Sequence, residues 1–143
     1  MTQPVTTHRN PGARDRSRCR PWTGIVLAVI AALHLAGAPL FYGDALRSIL
    51  DAGVIASVEA DPGSVALRSA GFWYLTTGLS RVVLSAIVIW VEQRVGTLPR
   101  VLPWLLLGIA VWGILLVPAS GFWSFLPAAA VAFVAARRGS PIR

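Results

Sequence analysis

Arg81 is the residue of this chain whose chemistry is hardest to ignore. It lies inside an apolar block at positions 70–91, eleven residues after Ala70 and ten before Val91. At 1.5 Å per helical residue that is about 15 Å from either end. A guanidinium at such depth in a bilayer costs from about 2.5 to more than about 10 kcal/mol, so it must face a bundle interior or a wet cavity and find a partner. Tyr74, Thr77, Ser85 and Glu92 recur with Arg81 at helical intervals and fall in one narrow sector at 100° per residue. His34 sits eleven residues into an earlier apolar block. A neutral imidazole at that depth could accept a hydrogen bond from Arg81.

The apolar blocks hold no acid to neutralise Arg81: Asp44 falls beyond the outer end of one block and Glu92 at the inner end of another. Two readings follow. An anion from elsewhere (a lipid head group, a substrate carboxylate or a redox cofactor) meets a ligand site made of Arg81, His34, Tyr74, Thr77 and Ser85. Alternatively, the same residues bond one another and glue the helices together. Gly24, Ala28, Ala32 and Ala36 form a four-residue ladder opposite His34. Either that ladder packs inside the bundle and His34 points away, or His34 meets Arg81 and the ladder faces another subunit. Paired carboxylates, His/Cys metal spacing and a Gly-rich phosphate loop are all missing, so neither catalysis nor a metal or other cofactor is expected. Cys19, the only cysteine, can form no intramolecular disulfide.

The elements that must position these residues follow from composition. Of 143 residues 55% are hydrophobic and 13% charged, with mean hydropathy +0.66. A soluble domain carries about 25% charged residues, so a soluble enzyme, a disordered regulator and a nucleic-acid-binding domain are disfavoured. The net charge of +7 comes from thirteen arginines and no lysine, which also suggests a GC-rich bacterial genome. Four apolar segments, about 23–42, 70–91, 101–118 and 121–136, approach the roughly 20 residues needed to span a bilayer. The expected fold is all-α: a single four-transmembrane-helix domain over 22–138, between a disordered Arg-rich tail (1–21) and a short C-terminal tail (139–143).

Orientation follows from the arginines. Arg9, Arg14, Arg16, Arg18, Arg20, Arg94, Arg100, Arg137, Arg138 and Arg143 fall on one side. Arg47 and Arg68 share the other with Asp44, Asp51, Glu59 and Asp61. The positive-inside rule puts both termini in the cytoplasm and loop 43–69 outside, giving a multi-pass protein of the bacterial cytoplasmic membrane. Its basic inner face would meet anionic lipids. Ala36-Gly37-Ala38 looks like a signal-peptidase site, but Pro39 directly after it opposes cleavage. Within the outer loop, Leu46, Ile49, Leu50 and Val54 suggest a separate amphipathic helix ended by Gly53, and Asp61-Pro62-Gly63 suggests a turn. Pro21-Trp22 and Gly71-Phe72-Trp73 find weak echoes in Pro103-Trp104 and Gly121-Phe122-Trp123, best read as interfacial tryptophans.

Gly71-Phe72-Trp73-Tyr74-Leu75, Leu98-Pro99-Arg100 leading to Pro103-Trp104, and Pro118-Ala119-Ser120-Gly121-Phe122-Trp123 resemble a family of small bacterial four-helix membrane proteins known as a domain of unknown function. His34 fits it too, and the resemblance covers about 22–138. It implies four transmembrane helices and no assigned activity. A more distant similarity, to DoxX-like four-helix proteins, implies an accessory role in redox or respiratory complexes. Three functions are therefore weighed: a non-enzymatic bundle that binds a membrane partner or a second copy of itself, an anion-binding or transport site at Arg81 and His34, and a redox accessory protein.

Overall fold

The computed structural model describes residues 20–138. Cys19, the expected C-terminal tail and all of the expected Arg-rich tail but Arg20 and Pro21 lie outside the described residues. Among the described residues the fold is all-α, without strands. Helix α1 (Trp22–Asp51) and helix α2 (Val65–Arg94) have 30 residues each. Helix α3 (Leu102–Leu116) has 15 residues and helix α4 (Phe125–Arg138) has 14, the latter preceded by a 3-10 turn at Gly121–Ser124.

The first two helices are longer than expected because the outer loop is largely helical. The segment read as a separate amphipathic helix continues α1 across a kink at Tyr42, where φ is −130°. Pro39 also lies inside this helix, where its missing N–H removes one bond of the ladder in the turn before it. Past the kink the chain winds on to Asp51, and Gly53, at φ +85°, turns it out of the helix. The Asp61 carboxylate accepts from the Ser64 hydroxyl (2.7 Å) and the Gly63 N–H (3.1 Å). Those two donors hold it below the usual carboxylate range. This turn starts α2 at Val65, five residues ahead of the expected 70.

Between the helices, Val54 and Ala56 adopt positive φ of 66° and 55°, a strained conformation for residues with a Cβ. Arg68 holds the strained loop in place. Its Nε donates to Ser48 Oγ on α1 (2.8 Å) and its guanidinium to the Ser57 carbonyl (2.7 Å). This arginine, read from sequence as an outer surface charge, is buried.

The last two helices are shorter than expected. Pro103 sits in the first turn of α3, a position where its missing N–H costs nothing. At the other end Val117, which precedes Pro118, is extended (φ −139°, ψ 79°), as the residue before proline tends to be. The chain then spends Gly121–Ser124 on the 3-10 turn. Two helices, α1 and α2, are thus long and apolar enough to cross a membrane, whereas α3 and α4 are not, against the expected four.

Helices α1 and α2 pack antiparallel along a seam of small or polar residues at seven-residue steps. Gly24, Ala31, Ala38 and Ala45 are buried on α1, and Gly71, Gly78, Ser85 and Glu92 on α2. A Cβ at Gly71 would sit 2.8 Å from that of Ala45, and one at Gly24 would sit 2.7 Å from the Ile89 backbone nitrogen. The expected four-residue ladder is not this seam: Gly24 is buried, but Ala32 and Ala36 are exposed. Four residues overshoot a full turn by about 40°, so such a ladder drifts around the helix, whereas a seven-residue repeat follows one gently supercoiled seam. The α3–α4 hairpin joins α1 through α4. Leu27, Ile30, Val88, Leu106, Ala110, Phe125, Ala128 and Ala132 form the common apolar core. The outer surface is apolar as well, with Leu40 82% and Leu115 73% exposed.

Candidate functional site

Halfway along α1 and α2 the two helices clasp each other through a reciprocal pair. The Tyr74 hydroxyl donates to the His34 carbonyl at 3.0 Å, and His34 Nε2 lies 3.0 Å from the Tyr74 carbonyl. The two rings stack at 3.9 Å. Two glycines make room for the clasp. A Cβ at Gly37 would come within 3.0 Å of the Tyr74 hydroxyl, and one at Gly78 within 3.0 Å of the His34 ring. Tyr42, at the α1 kink, extends the stack with its ring 4.6 Å from that of Tyr74. It also lines a cleft of about 350 Å³ with Pro39, Asp44, Arg47 and Leu67.

Arg81 completes the cluster. Its Nη1 lies 2.9 Å from His34 Nδ1. A guanidinium can only donate, so Nδ1 accepts and the ring proton sits on Nε2, pointing at the Tyr74 carbonyl. One neutral tautomer therefore satisfies both contacts, and both nitrogens of His34 are occupied. The guanidinium carbon lies 4.8 Å from the centre of the Phe125 ring and 5.9 Å from that of Phe122, within cation–π range. The α3–α4 turn therefore stands level with the middle of α2.

Of the five residues expected to form the site, the structure brings together Arg81, His34 and Tyr74. It does not bring in the other two. Thr77 donates to the Trp73 carbonyl and Ser85 to the Val82 carbonyl, both within their own helix. Sequence reasoning missed Tyr42, Phe122 and Phe125. Proximity through the kink and through a separate hairpin leaves no periodic trace. It also missed Gly37 and Gly78, whose signal was available: each lies three or four residues from a large polar ring.

Glu92 belongs to the polar stripe but serves a different end of the hairpin. Helix α1 begins after Pro21 with no side-chain cap. The buried Glu92 carboxylate supplies one from the other helix, accepting from the Thr23 N–H (3.2 Å) and the Gly24 N–H (2.9 Å). An acid at a helix N-terminus satisfies orphan donors and complements the dipole. The Thr23 hydroxyl beside it is buried without a partner among the described residues.

A family model described as a family of unknown function (DUF6463) matches residues 18–139. The chain belongs to the DUF6463 family. No curated protein and no solved structure matches it. Membership in DUF6463 agrees with the unknown-function part of the resemblance drawn from the motifs, and it lends no support to the DoxX-like part.

Proposed function

We propose that this DUF6463 protein is a non-enzymatic integral membrane module whose working part is the clasped α1–α2 hairpin. One observation carries the reading: α1 and α2 are largely apolar on their exposed surface, with small and polar residues along the seam between them. Their most apolar windows have mean hydropathy 2.2 and 1.6, yet only 28% and 17% of those windows are buried. A core helix of a water-soluble protein would be mostly covered. The exposed Trp73 and Trp90 bracket about 26 Å of α2, close to a hydrocarbon core and with Arg81 halfway between them. The groups best suited to acid–base work are already committed, His34 through both ring nitrogens and Glu92 through both oxygens.

Both hairpins return to the side they start from, and the arginine distribution makes that side cytoplasmic, in a bacterial cell membrane. Helices α1 and α2 cross the bilayer. The α3–α4 hairpin enters from the cytoplasmic face and turns at the level of Arg81, so it makes two partial passes where the sequence suggested two full ones. At that depth its turn is supported by bonds from Trp123 Nε1 to the Pro118 carbonyl and from the Phe122 N–H to Ser120 Oγ, as irregular backbone within a membrane requires. Arg94, Arg100 and Arg137 lie on the face that meets anionic lipids, and the exposed Ala32 and Ala36 offer a close-packing face to a second copy or a membrane partner.

Cysteine labelling of intact cells tests this, on a Cys19→Ser background with a membrane-impermeant maleimide. Glu59→Cys should label from outside, whereas Thr97→Cys and Ala119→Cys should not. Outside labelling at Ala119 would restore four full passes. Outside labelling at Thr97, or release of the protein by carbonate washing, would sink the reading.

A further inference from the structure

Arg81 is held by groups that carry no compensating charge. One of its N–H groups reaches His34 Nδ1, and one face lies over Phe125. Neither is an anion. Among the described residues it forms no other hydrogen bond and no ion pair, and a guanidinium has five N–H donors arranged as a planar fork. The residue is half-buried rather than enclosed. Its neighbours from the α3–α4 hairpin are apolar too, the rings of Phe125 and Phe122, and Trp123 next to Phe122 is exposed. His34 cannot leave this arrangement cheaply, because the Tyr74 clasp fixes its orientation. The cluster presents a fixed cation with unused donors to a lipid-like environment.

We infer that Arg81 is the head-group site for a lipophilic carboxylate, a single-chain acid whose tail lies along the aromatic residues of the α3–α4 turn, Phe122 and the exposed Trp123. Two carboxylate oxygens match two parallel guanidinium N–H groups, and one negative charge balances the one positive charge. Such a head carries no further polar atoms to bury. A phosphodiester lipid would have to bring its glycerol and head group about 12 Å below the Trp73 level, leaving polar groups without partners. His34 and Tyr74 are positioning residues here, and Arg81 alone touches the ligand. The inference rests on the membrane reading only for the depth of Arg81, and the labelling above tests that reading independently of any ligand.

The test uses the full chain in dodecyl maltoside, modified with p-hydroxyphenylglyoxal and read by peptide mass spectrometry. Palmitate, methyl palmitate and phosphatidylglycerol are the probes. Palmitate should slow modification of Arg81 saturably, by about tenfold at roughly ten times its Kd, since protection follows 1 + [L]/Kd. Methyl palmitate should not protect, and Arg94 should react at an unchanged rate throughout. Arg81→Gln should lose the palmitate-induced rise in Tm, and Arg94→Gln should keep it. Equal protection by the methyl ester, equal protection of Arg94, or protection by phosphatidylglycerol alone would each overturn the assignment. Because the first comparison uses unaltered protein, it stands even if Arg81→Gln fails to fold.

Discussion

The seam between α1 and α2 is lined by small and polar residues; that between α3 and α4 is apolar, with aromatic rings. The first pair meets along Gly24, Ala31, Ala38 and Ala45 against Gly71, Gly78, Ser85 and Glu92, and is cross-linked by His34, Tyr74 and Glu92. The second pair meets through Leu106, Ala110, Phe125, Ala128 and Ala132, with the Phe122 ring filling the space over Gly113 and Trp104 edge-on to Phe133. In lipid, contact between apolar side chains releases little free energy, because the tails they displace are equally apolar. Close backbone approach and interhelical hydrogen bonds do more. The first hairpin has both. The second depends on shape and on docking against α1 through α4.

Filling the seam is the strongest way to break that contrast. Gly78→Leu would drive into Leu35 and His34 and should cost about 3 kcal/mol, at the upper end for overpacking. Gly108→Leu on α3, where a new Cβ meets nothing within 4 Å, should stay within about 0.5 kcal/mol of the parent. Melting in mild detergent reads both, and equal losses would erase the distinction between the hairpins. Next in size is Glu92→Ala, which strips two donors at the start of α1 of their acceptor. About 2 kcal/mol is expected, with faster hydrogen exchange at Thr23 and Gly24 and little change in α3.

Tyr74→Phe sharpens the contrast at smaller scale. It removes one bond of the clasp and keeps the ring, for about 1 kcal/mol. The paired readout is the His34 imidazole nitrogen spectrum, which should keep Nε2 protonated because the Tyr74 carbonyl remains. The smallest effect belongs to the outer turn. The folded Asp61 carboxyl lies below its ordinary 3.8, so its contribution is complete above that value and fades as pH falls through the lowered one. Exchange at the Gly63 and Ser64 amides should therefore be flat from neutral pH down to the ordinary value and rise below it once corrected for intrinsic rates. In Asp61→Asn it should be altered at all pH values.

Much of this was legible in the residues. The polar stripe on α2, the depth match of His34 and Arg81 and the Asp61-Pro62-Gly63 turn follow from periodicity and turn chemistry, both local properties. Helix lengths were harder. The apolar run of α1 stops at Tyr42, but the helix winds on to Asp51, and its last turns carry Ser48, which accepts from Arg68 on α2. Pro118 shortens α3 by restricting Val117, an effect of one residue on a run that is otherwise continuously apolar. The packing seam was missed because alanine at four-residue steps stands out on paper, whereas the true seven-residue repeat mixes Gly, Ala, Ser and Glu. Thr77 and Ser85 share the sector of Arg81, but hydroxyls in apolar surroundings readily bond the preceding turn of their own helix.

The cap that Glu92 provides has a consequence for how the chain is assembled. Helix α1 is made first and arrives with its opening amides unmet, since Pro21 offers no side chain to receive them. Their acceptor lies 68 and 69 positions downstream, at the far end of the next helix. The first turn of α1 can settle only after α2 has been synthesised, turned back and brought alongside. The start of α1 is thereby made a property of the pair: a ribosome that stalls between the two helices leaves the first with a frayed start, and release of α2 closes it.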